Sequence, residues 1–348
     1  MEQYANILVY SLVNLGDVLL TTSAVALLKK KYPQAKISMM VRPMAAEILQ
    51  NNPVIDEVII YDYKGLHKSI TKMLAFARCL WARKFDLSIS FDQKLRPALL
   101  CLLAGIPVRV GPDRVFADKL SWITKLYTQT ITIPHDITST HQAETYQAIV
   151  RGLTGYHDSM RPVIGTIMPQ HKQKAKSLLS TLPTSKIRIG LCVKGTFALK
   201  NWPQEHFAQL VDRLAAQYDA SFFIIGAPED RAYAGEVVAK TNTSIANFCG
   251  QTGLMDLAAL LHQTDLFITV DTGAAHIGAA IGVPMVVIFG CTSPQRWHPL
   301  SDKAVVVSSE EACCPCHVSE DECPEHLCMN NISADQVVEK TNVVLFCN

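Results

Sequence analysis

The sequence has few charged residues and no excess of either sign, which excludes partners recruited by net charge alone. Of its 348 residues, 18% are charged, with 32 Lys and Arg against 31 Asp and Glu. Such a chain has no global field that would attract nucleic acid or a membrane. Hydrophobic residues make up 49%, too large a share for disorder and enough for sizeable cores. At roughly 100–200 residues per domain, the length predicts two domains.

The two halves of the chain nevertheless differ in charge. Residues 1–165 contain 19 basic and 13 acidic residues, a net charge of +6, whereas residues 166–348 contain 13 and 18, a net charge of −5. A basic first half and an acidic second half predict two sites with different partners.

The sequence also lacks a visible targeting or membrane-spanning segment. The apolar run at residues 7–12 is too short for the core of a signal peptide, and no basic residue precedes it. The longest strongly apolar run, residues 98–106, is far shorter than the roughly 20 residues that cross a bilayer. We therefore expect a cytoplasmic protein that contacts membranes peripherally at most.

Missing as well is the glycine-rich fingerprint of dinucleotide-binding proteins. The first predicted strand is followed by Leu15-Gly16-Asp17-Val18, with no G-x-G-x-x-G. This absence argues against the alternative of a Rossmann oxidoreductase that binds NAD(H). Asp17 stands where the strand gives way to a helix, so it is either a helix N-cap or a general base.

Strands and helices alternate along the chain, as in α/β proteins with parallel sheets. In the first half the pattern predicts strands at residues 7–10, 36–41, 58–61, 87–91 and 108–110, and helices at 18–32, 45–50, 69–83 and 97–104. In the second half it predicts strands at 187–193, 222–225, 266–270 and 286–289, and helices at 204–218, 229–240, 255–262, 274–281 and 334–345.

This alternation predicts two doubly wound, Rossmann-like domains that face a central cleft. We expect the domains at residues 1–165 and 187–332, with a linker at 166–186 and a closing helix at 333–348. Ligands bind such sheets at the carboxyl ends of the strands, where the strand order reverses. A cleft between two such edges would suit a reaction with two substrates.

The strongest candidate site follows the predicted strand at 266–270. There Asp271, Thr272 and Gly273 precede a helix of small residues that carries His276. Backbone N–H groups at a helix N-terminus bind anions, and glycine lets a phosphate approach closely. The pattern favours a phosphate site over an ordinary junction capped by Asp271 or Thr272. His276 alone is more typical of a packed core histidine.

A second loop with polar residues precedes the helix at 204–218. Lys194, Thr196 and Lys200 give it two cations and a hydroxyl group, which suit a diphosphate. The alternative is a solvated turn in which Trp202 makes a hydrophobic contact with the following helix, as in a hydrophobic staple.

A third loop, after the strand at 222–225, carries Glu229 and Asp230. These acids either bind the hydroxyl groups of a ribose or complement the positive end of the following helix dipole.

A basic segment with Lys64, His67, Lys68 and Lys72 follows the strand at 58–61. A run of charge is usually a solvated face. This run supplies much of the positive charge of the first half, so it also fits an anionic acceptor.

Eleven cysteines are present, and five of them lie within residues 313–328. Four of these thiols could ligate a structural metal, namely Cys314, Cys316, Cys323 and Cys328, with His326 or Cys313 as substitutes. The alternative is a loop of free or redox-sensitive thiols. Disulfides are the less favoured account in a chain without a signal peptide.

Taken together, these motifs resemble those of glycosyltransferase family 9, the bacterial lipopolysaccharide heptosyltransferases. The resemblance spans nearly the whole chain and rests on residues 15–22, 200–203, 226–230, 271–276 and 289–294. The Cys-Pro-Cys and Cys-Pro run before Ile332 is similar to the tail of the second-heptose branch. Departures from the family pattern at Ala274, Ala275 and Cys291 leave the donor sugar and the acceptor open.

The resemblance implies a two-domain GT-B fold. The second domain would hold an ADP-sugar donor, and the first would hold an anionic acceptor, the inner core of lipopolysaccharide. It implies an inverting transfer that requires no metal or other cofactor. We further expect a monomer that binds no nucleic acid and makes transient contact with the cytoplasmic face of the inner membrane.

The resemblance also assigns roles to particular residues. Asp17 matches the general base of the family, and Lys64 and Lys68 fit the anionic acceptor. The positions that match donor-binding residues are Thr196, Lys200, Glu229, Thr252, Asp271, Thr272, Gly273 and His276, with Asp230 as a substitute for Glu229. The alternatives are a family member with another sugar donor and a non-catalytic sugar-nucleotide-binding protein.

Overall fold

The computed structural model describes residues 3–115, 119–120, 122–133, 136, 139–316, 318–323 and 325–346. The chain divides into two units, Met1–Thr166 and Ile167–Asn348. Each unit is built on a parallel six-stranded sheet against which helices pack. The expected α/β architecture with two Rossmann-like units is therefore confirmed.

The sheet of the first unit has its topological switch point between its first and fourth strands. The strands are β1 (Asn6–Ser11), β2 (Lys36–Val41), β3 (Glu57–Ile60), β4 (Leu87–Ser90), β5 (Val108–Pro112), β6 (Arg114–Val115), β7 (Lys119–Leu120) and β8 (Gln129–Ile131). The helices are α1 (Leu15–Lys31), α2 (Pro43–Ala46), α3 (Ile70–Ala82), α4 (Leu95–Leu103) and α5 (Gln142–Thr154). The sheet order is β3-β2-β1-β4-β5-β8, and β6 and β7 form a separate antiparallel pair. Loops after β1 and β4 therefore lie side by side.

The second unit repeats this arrangement. Its strands are β9 (Ile187–Cys192), β10 (Ala220–Ile224), β11 (Ile245–Asn247), β12 (Leu266–Val270), β13 (Met285–Phe289) and β14 (Ala304–Ser308). Its helices are α6 (Pro169–Leu179), α7 (Gln204–Gln217), α8 (Arg231–Lys240), α9 (Leu254–Leu261), α10 (Gly273–Ile281), α11 (Pro294–Trp297), α12 (Leu327–Asn330) and α13 (Ala334–Phe346). The order β11-β10-β9-β12-β13-β14 puts the switch point between β9 and β12.

Central strands of both sheets are mostly apolar and largely buried because they are covered on both faces. Every residue of β12 and β13 is buried, as are five of the six residues of β1. Such continuous burial is typical of parallel sheets and explains why these strands were predicted within one or two residues.

The segment 166–186, expected to be a linker, instead contains α6 and lies in the second unit from residue 167 onward. Helix α6 packs on α9 through a buried face of Ala175, Leu178 and Leu179. The rest of this helix is polar, so its apolar pattern is too short to be recognised. Helix α13, expected as a separate closing element, also belongs to the second unit, since Val337 and Val344 join its core.

The pattern also missed α5 and the edge strands β8, β11 and β14. Both β8 and β11 have three residues, and edge strands lack the continuous burial that marks the centre of a sheet. Within the described residues, no helix is both long enough and apolar enough to cross a bilayer.

Candidate functional site

The switch point of the second sheet brings together the two strongest motifs of the sequence. Lys200 lies in the loop after β9, and Asp271 directly follows β12, the neighbouring strand. The Lys200 Nζ atom is 2.5 Å from Asp271 Oδ2. Parallel pairing explains this contact, because the carboxyl ends of adjacent strands meet at one edge of the sheet.

The Lys200–Asp271 pair is largely withdrawn from solvent. The two side chains are 14% and 7% exposed, and Thr292 Oγ1 donates a second hydrogen bond of 2.8 Å to Asp271 Oδ2. An ammonium group has three protons to donate. Asp271 therefore fixes the position of Lys200 while the remaining ammonium protons stay available to a ligand.

Helix α10 begins beside this pair with its small residues packed on the sheet. Thr272 is the N-cap, and its hydroxyl oxygen accepts a hydrogen bond of 3.1 Å from the backbone N–H of Ala274. A methyl group added at Gly278 would lie 2.7 Å from Met285 Cε, so the glycine lets this side chain of β13 pack closely against α10. His276 is buried in the second turn, the packed position that a core histidine occupies.

The two acids after β10 have different surroundings. Asp230 accepts a hydrogen bond of 2.9 Å from the Ala227 N–H and lies 2.9 Å from the Lys194 ammonium group. Glu229 is exposed and forms no ion pair with a described residue. Asp230 thus closes the turn after the strand, and Glu229 is the acid left accessible to a ligand.

The two predicted donor-site threonines lie in loops that follow strands of the same sheet. Thr196 is exposed after β9, and Thr252 is half-buried between β11 and α9. The loop after β9 folds tightly, since Asn201 Oδ1 accepts a hydrogen bond of 2.8 Å from the Gly195 N–H.

In the first unit, Asp17 lies in the first turn of α1, the helix that follows β1. The N-cap of α1 is Asn14 rather than Asp17, so the simple capping role does not apply. The Tyr146 hydroxyl donates a hydrogen bond of 2.9 Å to Asp17 Oδ1. Burial, and then the charge of Asp17, raises the pKa of Tyr146 well above its usual range. Tyr146 is therefore a neutral donor that orients the carboxylate.

A second acid at the same switch point, Asp92, was missed by the sequence analysis. It follows β4, and its carboxylate accepts hydrogen bonds from the backbone N–H groups of Leu12 (2.7 Å) and Lys94 (3.2 Å). Burial raises its pKa to about 6, against the effect of these two hydrogen bonds. The signal was present, since an Asp stands directly after the predicted strand at 87–91.

Two cations at this edge share one aromatic ring. The Arg42 guanidinium and the Lys94 ammonium group each lie 5.8 Å from the centroid of Tyr63. The three residues follow β2, β4 and β3, respectively. Neither cation forms an ion pair with a described residue, and the Lys94 ammonium group donates a hydrogen bond of 2.8 Å to the Leu12 carbonyl oxygen.

The predicted acceptor residues Lys64 and Lys68 lie on the segment between β3 and α3. Both side chains are exposed. The turn that carries them is held by Asp62, whose carboxylate accepts hydrogen bonds from the N–H groups of Gly65 (2.9 Å) and Leu66 (3.0 Å). These backbone hydrogen bonds lower the pKa of Asp62.

The cysteines of residues 313–328 pack on the core of the second unit together with Cys291, which lies just after β13. The Cys316 N–H donates a hydrogen bond of 2.8 Å to the Cys291 carbonyl oxygen, and the predicted ligands Cys314, Cys316 and Cys323 contact the core. Burial raises the pKa of Cys291 to about 12 and also raises those of Cys314 and Cys328. In the part of the chain that the structure describes, no three His, Cys, Asp or Glu side chains are arranged to hold a metal.

Comparison with known proteins agrees with this geometry. The model of glycosyltransferase family 9 (heptosyltransferase) matches residues 73–326. Lipopolysaccharide heptosyltransferase 3 of Escherichia coli K12 is 26% identical over 294 residues, which are 83% of this chain and 84% of that protein. The glycosyl transferase family 9 structure from Veillonella parvula has a TM-score of 0.87 at 26% identity, covering 100% of this chain and 99% of the other.

A further structure shares the fold. Heptosyltransferase WaaC of Escherichia coli, solved with ADP, has a TM-score of 0.74 at 20% identity and covers 97% of this chain and 99% of its own. The expected GT-B fold is thus confirmed, and the oxidoreductase alternative is excluded. The chain belongs to glycosyltransferase family 9, the heptosyltransferase family, and is a glycosyltransferase.

Proposed function

We propose that this glycosyltransferase moves a heptose from ADP-heptose to the inner core of lipopolysaccharide, with inversion at the anomeric carbon. The Lys200–Asp271 pair beside the N-terminus of α10 carries the proposal, because it offers a positioned cation and backbone N–H groups to a diphosphate. The ADP in the WaaC structure and the name of the Escherichia coli relative support the donor and the acceptor.

The donor contacts follow from the loops of the second sheet. Lys200, Thr196 and the Thr272-Gly273 turn would face the diphosphate. Glu229, which is the accessible acid after β10, would accept hydrogen bonds from the ribose hydroxyl groups. Thr252 would approach the adenine base. Asp271 and His276, both buried, would position Lys200 and α10 rather than touch the donor.

The transfer needs a base for the acceptor and charge stabilisation for the leaving group. Asp17 takes the proton of the acceptor hydroxyl group while the oxygen of that hydroxyl group bonds to the anomeric carbon. The bond from that carbon to the diphosphate oxygen breaks, and ADP leaves with the electron pair. Attack opposite to the leaving group inverts the configuration.

We propose that no metal cofactor is required. The negative charge that develops on the departing ADP is met by the Lys200 ammonium group and by the N–H groups at the start of α10. These groups are fixed before the donor arrives, so they need no reorganisation during the reaction.

For the acceptor, Lys64 and Lys68 provide exposed cations, and Arg42 and Lys94 provide two more at the sheet edge. Reversing the charges of Lys64 and Lys68 should raise the acceptor KM, and the penalty should shrink as salt is added. The donor KM should hardly change. Equal losses for donor and acceptor would mean misfolding instead of recognition.

Candidate ADP-sugars and defined inner-core acceptors, followed by mass spectrometry of the products, test the proposal. We expect the mass of the acceptor to increase by one heptose when ADP-heptose is the donor and to stay unchanged with the other ADP-sugars. NMR of the product should show an inverted anomeric configuration. Transfer of a different sugar would establish the alternative donor. A product with retained anomeric configuration would exclude a direct displacement of ADP by the acceptor hydroxyl group that Asp17 activates.

The cellular setting is also a proposal. We place the enzyme in the cytoplasm as a monomer, in transient contact with the inner membrane where a lipid-anchored acceptor is found. Sedimentation at working concentrations tests the oligomeric state, and cell fractionation tests the location.

A further inference from the structure

Helix α3 exposes large apolar side chains along the border of its buried face, where a helix on the surface of a domain ordinarily changes to polar residues. Its inner face packs on the first unit through the buried Ala77 and Leu80. Beside this face, Ile70, Leu74 and Trp81 are 72%, 44% and 56% exposed. Their spacing of four and seven residues puts them on one stripe of the helix, which also includes the buried Ala77.

The exposed apolar surface continues beyond α3. Leu66, just before the helix, is 62% exposed. At the other end, a methyl group added at Gly105 would lie 3.6 Å from Trp81 Cδ1, so Trp81 adjoins the end of α4. Leu102 and Leu103, at that end, are 40% and 44% exposed. We call this set of six side chains, Leu66, Ile70, Leu74, Trp81, Leu102 and Leu103, the α3 surface.

Positive charge predominates around the α3 surface, although Asp62 accepts a hydrogen bond from the Leu66 N–H and Glu57 pairs with Arg83. Residues 64–84 contain six Lys and Arg and no Asp or Glu. Lys64, Lys68, Lys72 and Lys84 are exposed, and the Lys84 ammonium group lies 3.8 Å from the centroid of the Trp81 ring. The chain as a whole is nearly neutral, with a net charge of +1, so this concentration of cations is local.

We infer that the α3 surface docks on an anionic lipid bilayer. Apolar side chains, a tryptophan and surrounding lysines are the combination that binds the interface of such a bilayer, where the rings enter the headgroup region and the cations meet lipid phosphates. This inference extends the proposed function, on which it rests for the choice of a membrane partner, by assigning the contact to particular residues. It gives Lys64 and Lys68 a role toward lipid as well as toward the acceptor.

Vesicle flotation of the full chain without any donor or acceptor tests the inference. The protein should float with phosphatidylglycerol-containing vesicles, remain behind with pure phosphatidylcholine vesicles, and dissociate as salt is raised. Replacing Lys64, Lys68 and Lys72 by Gln should weaken the partition coefficient on the order of a hundredfold at low salt, from roughly fivefold for each basic residue.

Matched variants separate lipid binding from general effects. Lys172, Lys174 and Lys176 are three exposed lysines on α6, and their replacement by Gln makes the same change of charge elsewhere. Ile70→Ser with Trp81→Ser tests the apolar contribution, and Phe346→Ser, at a side chain 73% exposed, is its control. We expect both control variants to float like the wild type.

Three results would overturn the inference. The first is a wild type that does not float with phosphatidylglycerol vesicles at low salt. The second is a loss of vesicle binding in the α6 control equal to that in the variant of Lys64, Lys68 and Lys72. The third is self-association of the wild type that disappears with Ile70→Ser and Trp81→Ser. The last result would assign the surface to a second copy of the chain. Because flotation needs no turnover, an enzyme that floats but transfers no heptose would contradict the proposed function alone.

Discussion

The Lys200 ammonium group lies 2.5 Å from the Asp271 carboxylate, although 71 residues separate the two in the sequence. The pair exists because β9 and β12 are neighbours in the sheet while their following loops come from different βα units. The Lys200 ammonium group is held in a position to bind a diphosphate, and it also neutralises the charge of the buried Asp271. Its removal therefore has two effects that must be measured separately.

Lys200→Ala should weaken ADP binding by roughly 1.5–3 kcal/mol, through the loss of a charge-assisted contact. It should also destabilise the second unit by roughly 3 kcal/mol, because Asp271 is left buried without its cation. Calorimetric titration with ADP and urea unfolding measure the two quantities. Adding Asp271→Asn should recover much of the stability and little of the affinity. Unchanged ADP affinity in Lys200→Ala would remove Lys200 from the donor site.

Asp17→Asn should lower kcat by roughly 10²–10⁴, because an amide cannot accept the proton of the acceptor hydroxyl group. ADP affinity and Tm should remain near those of the wild type, since Asn14 rather than Asp17 is the N-cap of α1. Steady-state kinetics with a defined acceptor measure the effect. Near-normal turnover would show that another group is the base.

Tyr146→Phe should move the acidic limb of the pH–kcat profile to higher pH. The Tyr146 hydroxyl donates to Asp17, and a hydrogen bond to the ionised form of a carboxyl group favours that form. Without it, Asp17 needs a higher pH to lose its proton. A structural role alone would lower Tm and leave the pH profile in place.

Asp92→Asn should change how stability depends on pH between about 4 and 6. Burial raises the pKa of Asp92 to about 6 in the folded chain, whereas an unfolded Asp titrates near about 4. Its protonation therefore favours folding. This contribution, about 3 kcal/mol, is fully present below about pH 4 and is lost as the pH rises to about 6.

Urea unfolding of wild type and Asp92→Asn across this range measures that contribution. The wild type should lose stability relative to the variant as the pH rises, while the difference stays constant above about pH 7. A difference that does not vary with pH would show that Asp92 titrates alike in the folded and unfolded chains.

Thiol labelling should divide the cysteines by burial. Cys79 and Cys313 are exposed and should react with iodoacetamide at neutral pH before Cys291 and Cys328, which are buried with raised pKa values. Peptide mass spectrometry over time identifies the labelled sites. Addition of zinc before labelling is the control, and protection of Cys314, Cys316, Cys323 and Cys328 together would establish the metal site.

Asp17 and Asp271 were both proposed from the sequence because each lies where an apolar strand gives way to a helix. A chain of alternating apolar runs and helical patterns allows few arrangements other than parallel sheets with ligands at their carboxyl edges. The same local pattern located Lys200, Glu229 and the Thr272-Gly273 turn. The fold class and the site-bearing loops were thus determined by short-range pattern.

Tertiary structure decided which of these residues work together. Strand order made Lys200 the partner of Asp271, packing of α5 against α1 brought Tyr146 to Asp17, and the neighbouring exits of β1 and β4 buried Asp92. It also showed that Asp230 closes a turn while Glu229 stays accessible. Contacts between strands and helices that are distant in the sequence cannot be read from one sequence alone. The spacing of hydrophobic residues indicates which side chains are buried, but it does not indicate which element they pack against.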